Sequence, residues 1–204
     1  MGSNNLNASD TWVRTQLAAL NPLYPGDQSK ILVRRDDQAT TADADNKDLV
    51  VISSTVNSGN VGTKFRDVQV PVLLWERHLY DEMRMTTGGN HGETDVNQRR
   101  VIIANINHPL RGNVETGNQI VYESDQRLNW GIPNGNAVAI ASLTGGGNSG
   151  YKVIFGYPAN VGMIGGFVAP ARRVGFFLSD NGADNLDPRG RILFANAVIW
   201  ARGN

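Results

Sequence analysis

The sequence predicts an α/β fold: a doubly wound, mainly parallel sheet with helices on both faces, continued in its second half by antiparallel strands and hairpins. Three observations predict it. The first half alternates short apolar runs with helical spacings. Within it, Leu49-Val50-Val51-Ile52 is continuously apolar, as a strand buried on both faces requires. Past residue 100, strand-like segments follow one another at short intervals, separated by turns rich in Gly, Asn and Pro.

Each element follows from its residues. Residues 8–20 read as a helix, with Ser9 or Asp10 as cap and Trp12, Val13, Gln16, Leu17 and Leu20 at helical spacing. Asn21-Pro22 stops it. Residues 30–34 (KILVR) read as a short strand running into Asp36-Asp37, and the polar residues 40–47 as one short helix. Residues 48–54 and 70–74 are buried strands, the second tolerating Pro71 near its start. Helical turns are expected over 61–67 and 76–84, and a polar loop over 86–97. Strands follow at 101–106, 119–122, 137–143, 151–155 and 174–178. A helix closes the chain over 188–201, with Asp187 as cap, Pro188 in its first turn, and Ile192, Leu193, Ala195, Asn196, Ile199 and Trp200 on a core face.

Composition narrows the function. The 204 residues, 40% of them hydrophobic, suit one domain with a real core, and no linker or repeat divides residues 1–204. Nineteen basic and nineteen acidic residues cancel, and no basic run exceeds two residues, so no field recruits nucleic acid. No apolar run approaches the ~18 residues of a membrane span. The chain has no cysteine, which removes disulfides, thiolate metal sites and a thiol nucleophile together. Neither a cofactor nor a metal is signalled: the three histidines, His78, His91 and His108, form no H-x-x-x-H or H-E-x-x-H pair. His108, in NHPLRG, is expected to shape its loop through a side-chain to main-chain bond. No G-x-S-x-G elbow is present.

The stretch SGNVGTK (58–64) looks like a phosphate loop but fails the test. Gly59 and Gly62 are too close for the Walker spacing, and the dinucleotide pattern is absent. Its glycines suit a strand-to-helix turn. The better candidate lies beyond the carboxyl ends of the strands, where open α/β sheets hold ligands. Four segments are expected to reach that edge: Asp36-Asp37, Ser53-Ser54-Thr55, Trp75-Glu76 and Ser179-Asp180. Carboxylates and hydroxyls gathered there suit sugar hydroxyls or a hard cation. The same residue types also open turns and cap helices. The candidates are therefore Glu76 as a catalytic carboxylate, and Asp36, Asp37, Ser54, Thr55, Trp75 and Asp180 as ligand contacts.

Three stretches carry a family resemblance: DLVVISSTVNSGNVGTKFRDVQVPVLLWE, NHPLRG and APARRVGFFLSDNGADNLDPRGRILFANAVIWA. Together, over about Gly2 to Ala201, they resemble the class I glutamine amidotransferase-like superfamily, and within it the trehalose-utilisation (ThuA-like) branch found in large secreted bacterial proteins. The resemblance implies a flavodoxin-like fold and an extracellular or cell-surface setting. It also implies a nucleophilic cysteine in the turn after VPVLL, where this chain has Leu74-Trp75-Glu76, and a histidine after RRVGFFLSD, where it has Asp180-Asn181. Without thiolate and imidazole no acyl-transfer nucleophile is activated. The expectation is a non-catalytic domain acting in structure, self-assembly with like subunits or carbohydrate association. The alternatives are a carbohydrate-active hydrolase or isomerase that uses Glu76 with Asp36, Asp37 or Asp180, and a small-molecule binding module at the same crevice. The resemblance further implies a hydrophobic first strand ahead of GSNNLNASD, where only Met1 stands; a trimmed start or a strand added by a neighbouring subunit are the two expectations.

Overall fold

The computed structural model describes residues 6–145 and 150–203. Its elements are α1 (Ala8–Ala19), β1 (Val50–Ile52), α2 (Ser58–Val61), β2 (Val72–Leu74), β3 (His91–Glu93), β4 (Arg100–Ile103), β5 (Gly117–Ile120), β6 (Asn129–Gly131), β7 (Val138–Leu143), β8 (Lys152–Tyr157), β9 (Arg173–Gly175) and α3 (Pro188–Arg202). The main sheet runs β1-β2-β9-β8-β7-β4-β5, and β6 joins β3 to β8 beside it. β1, β2 and β9 are mutually parallel, with Ile52 opposite Leu74 and Leu74 opposite Gly175. The pairs from β8 outward are antiparallel. This is the α/β sheet expected from the sequence, with the parallel part confined to three strands and β9 at the seam.

Period-two alternation splits the core across the sheet. Leu73, Trp75, Val174 and Phe176 face one cluster, which α1 completes with Val13 and α3 with Leu193, Phe194, Ala197 and Val198. Val50, Ile52, Val72 and Leu74 face the other, closed by Val61 of α2, Phe65, Leu79 and Tyr80. Helical cover exists on both faces but is unequal. The two long helices share one face, while α2 and short 3-10 turns cover the other. Gly156 admits α3 closely: a Cβ there would lie 2.6 Å from the Trp200 ring.

One buried cation fastens the second face. Arg173, fully buried, donates from Nη1 to the carbonyls of Val70, Ala171 and Arg172 and from Nη2 to those of Arg66 and Val68. Burial pulls its pKa down to about 10, partly offset by Asp67. Carbonyl oxygens of the segments leading into β2 and β9 thus take the place that a carboxylate usually has beside a buried arginine.

Several local expectations are corrected. Residues 30–34 form no strand: a 3-10 turn over Gln28–Lys30 leads into extended chain without a ladder partner. Residues 76–84 form a 3-10 turn over Arg77–Leu79 followed by further turns rather than a helix, because Glu76 caps a turn that must bury Leu79, Tyr80 and Met83 at once. The polar loop 86–97 contains β3, and β6 was not foreseen, since both are short and lack an apolar alternation. α2 begins at Ser58, with Asn57 as its cap, earlier than expected. The cap of α1 is Asn7, whose Oδ1 accepts from Asp10 N at 2.7 Å. Asp187 caps α3 with Pro188 in its first turn, as the sequence indicates.

Candidate functional site

The carboxyl ends of β1, β2 and β9 open on one crevice of about 500 Å³. Ser54 and Thr55 enter it from β1, Glu76, Arg77 and His78 from β2, and Asp180 from beyond β9; Asn57 and Ser58 close the α2 side. Parallel strands deliver these residues together because their ladders end in step: Trp75 N donates to Ile52 O at 3.1 Å and Phe176 N to Leu74 O at 3.0 Å.

The rim of the crevice is braced from α1. Asp10 accepts from Ser53 Oγ at 2.6 Å and from Thr55 Oγ1 at 2.7 Å, which fixes the exit of β1. Asn7 Nδ2 donates to Asp180 O at 2.7 Å, and Ser9 Oγ accepts from Ala183 N at 2.7 Å, which fixes the exit of β9. Beneath the crevice, the fully buried Asn129 donates from Nδ2 to Trp75 O and to Leu178 O, both at 2.7 Å. One side chain therefore holds the main chain on both sides of the central strands. Sequence reasoning missed Asn129, and it took Asp10 for a cap. The signal available was a lone buried-type polar residue in the apolar run Leu128-Asn129-Trp130.

Glu76 is only 4% exposed yet lines the crevice. Its Oε1 accepts from His78 N at 3.0 Å. Burial pushes its pKa up to about 7; the His78 N–H and the Arg77 charge oppose the rise, and Asp180 and Glu82 add to it. Near neutral pH the group is thus divided between carboxylic acid and carboxylate. The Ser54 hydroxyl is buried with no hydrogen-bond partner among the described residues. A row of titratable groups continues outward from His78. Its ring meets that of His91 edge-on at 5.5 Å, and His91 Nε2 lies 3.4 Å from Asp81 Oδ1. Burial lowers the pKa of His91, with Asp81 opposing. Burial and the hydrogen bond with Asp81 push Glu82 up to about 7. Among the described residues no group of three or more His, Cys, Asp or Glu is placed to hold a metal.

The structure brings Ser54, Thr55, Glu76 and Asp180 together and leaves three candidates out. Trp75 is buried in the core, edge-on to Phe194 at 6.3 Å, because the alternation that points Glu76 at the crevice turns its neighbour to the α3 face. Asp36 instead holds the start of α2, accepting from Asn57 N at 3.2 Å and Asn60 Nδ2 at 2.7 Å. Asp37 pairs at the surface with Arg35 at 2.8 Å. The Gly59 N–H is already bonded to Asn57 Oδ1, and Gly62 closes α2 at φ 49°, so the glycine stretch is a turn. His108 accepts from Leu110 N at 3.1 Å, the loop-shaping role expected of it.

No protein-family model and no curated protein matches the chain. Among solved structures, it is similar to a protein from Thermoplasma acidophilum that is provisionally named as a subunit of GMP synthase. The TM-score is 0.57 at 13% identity, over 96% of this chain and 91% of that one. At that identity the likeness concerns the fold alone: this chain has a flavodoxin-like α/β fold.

Proposed function

We propose that this chain is a binding domain in which the amidotransferase-like scaffold holds a small, neutral, polyhydroxylated ligand of the carbohydrate class. The observation that carries the reading is Ser54, which lines the same crevice as Glu76 and whose buried hydroxyl has no hydrogen-bond partner among the described residues. A hydroxyl ligand can accept from or donate to both: Ser54 offers either role, and Glu76 offers a donor when protonated and an acceptor when ionised. Cysteine is absent from the chain, so thiolate acyl transfer, whatever the Thermoplasma protein does, has no nucleophile here. The finer placement in the ThuA-like branch, the extracellular or cell-surface setting and assembly with like subunits belong to this reading, on the resemblance given above.

Calorimetric titration with a panel of mono- and disaccharides tests it. Saturable binding to at least one sugar is expected, weakened about tenfold by Ser54→Ala, the usual loss when a hydrogen bond to a polar ligand is removed. Absence of binding across the panel, or binding indifferent to Ser54→Ala, overturns it.

The pKa of Glu76, raised chiefly by burial, supports a second reading, a hydrolase or isomerase in which Glu76 moves a proton, with Asp180 adding a smaller push toward the protonated form. Turnover of a bound sugar that disappears in Glu76→Gln, with binding retained, would establish catalysis; full turnover in that variant would eliminate it.

A further inference from the structure

We propose that the cavity between α1 and β1 is a binding site for a small amphipathic carboxylate, with its aliphatic tail against the apolar wall and its carboxylate at Arg14. The cavity holds about 400 Å³, within the range of roughly 300–1,000 Å³ that small-molecule sites occupy. Among the described residues it shares no lining residue with the polar crevice at the strand ends.

The wall accounts for the tail. Leu17 of α1, Leu49 ahead of β1 and Val33 line the cavity and are only half-buried, although packing normally hides such residues. The buried Val13, Phe65 and Trp75 border it as well, so it reaches down to the core. Leu23, Tyr24 and Leu32, exposed at 75%, 50% and 45%, rim it. Water gains little from such a wall, whereas an aliphatic tail laid on it removes apolar area from water on both sides.

Charge accounts for the head group. The described lining holds five basic residues against three acidic ones. The acids are engaged: Asp43 pairs with Arg34, Asp48 with Arg202, and Asp10 accepts from Ser53 and Thr55. Of the other cations, Lys47 is exposed and donates to Asp45 O at 3.3 Å, and Lys30 lies over the Tyr24 ring at 4.4 Å. Arg14 is half-buried and stands one turn before Leu17 on the same face of α1. Among the described residues its guanidinium makes one long hydrogen bond, from Nη2 to Gln28 O at 3.4 Å, and has no carboxylate partner. Its Nε is buried without an acceptor among those residues. Gln28 and Lys30 share one 3-10 turn, which brings a second cation to the Arg14 side of the cavity. A guanidinium with spare donors favours a planar carboxylate, which it can hold through two parallel N–H···O bonds. Its partial exposure keeps the desolvation cost of the pair moderate. An underbonded cation beside an apolar wall is answered by one molecule carrying both an anionic head and an aliphatic tail.

Isothermal titration calorimetry of the full chain tests this with octanoate, octan-1-ol and octylamine, which share one tail and differ in head group. Saturable binding of octanoate is expected, with octan-1-ol about tenfold weaker and octylamine not bound. Arg14→Gln should bring octanoate down to the affinity of octan-1-ol without weakening the alcohol. Leu17→Asp should abolish octanoate binding, and Ile192→Lys, on the exposed side of α3, should leave it unchanged. If Leu17→Asp fails to fold by circular dichroism, Leu32→Asp, at an exposed position, takes its place, with about a tenfold loss expected. Octanoate that does not saturate, octan-1-ol or octylamine bound as tightly as octanoate, or binding indifferent to Arg14→Gln each overturns the proposal. A dimer in light scattering that Leu32→Asp dissociates also overturns it, because a second copy then covers the cavity.

Discussion

The two sides of β1 make an instructive pair. At its carboxyl end the chain enters a polar crevice whose walls are tied by short hydrogen bonds that Asp10 accepts and that Asn7 and Asn129 donate. Along its length the same strand borders a cavity of about 400 Å³ whose lining includes the half-buried Leu17, Val33, Leu49 and Val51. Among the described residues, the Ser54 hydroxyl is the buried side-chain atom of the crevice lining that has no hydrogen-bond partner. A crevice so braced holds its shape without ligand, which suits recognition of something small.

The sharpest way to break this contrast is to cut the brace. Asn129→Leu keeps the volume but leaves Trp75 O and Leu178 O buried without a donor, at about 1–3 kcal/mol each. We expect a loss of about 4 kcal/mol in urea unfolding and loss of ligand binding; a cost below about 1 kcal/mol would show that the crevice is not held by this residue.

Next in size is the pH response of Glu76. Its pKa rises from 4.5 in the unfolded reference to about 7 in the fold. Between those values the folded state binds the extra proton, so the group's stabilising share is fully present below about pH 4.5 and fades as pH rises through 7. Glu76→Gln removes this dependence. The variant should match the parent near pH 4.5 and exceed it above pH 8 by about 3 kcal/mol, the value of the shift. Glu82, also pushed up to about 7, adds slope of the same sign, so the profile flattens without becoming level. Chemical denaturation at both pH values checks it. A variant less stable than the parent above pH 8 would mean that the carboxylate is held by favourable contacts instead of penalised by burial.

The smallest effect belongs to the edge. Leu17→Ala, at a half-buried site beside an existing cavity, should cost under about 1 kcal/mol, far less than the 2–5 kcal/mol of a fully packed leucine. A loss in the larger range would show that Leu17 is fully packed in solution.

Much of the architecture was legible because it follows from period. The run LVVI gave β1, VPVLL gave β2, and the spacing from Ile192 to Trp200 gave α3 with its Asp187 cap, although Ile192 and Ile199 lie on its exposed side while Phe194, Ala197 and Val198 join Leu193 and Trp200 in the core. The crevice was legible in outline for the same reason: strands in parallel register end at one edge, so Ser54, Thr55, Glu76 and Asp180 could be placed there together. Trp75, Asp36 and Asp37 were misplaced because sequence adjacency to a strand end does not say which face a side chain takes or what it bonds. KILVR read as a strand because its composition is strand-like, yet pairing needs a neighbour, and among the described residues it has none.

The sequence by itself determined the class of fold, the absence of a thiol nucleophile and the set of polar residues at the strand ends, since these depend on local pattern and on residue identity. Tertiary structure alone decided the rest. Asn129 could be recognised as a brace only once β6 lay beneath Trp75 and Leu178, some fifty positions away in the chain. Glu76 acquired its raised pKa from burial, and burial belongs to the assembled core. The cavity beside β1 exists only between segments that the chain brings face to face, so no local window of sequence contains it.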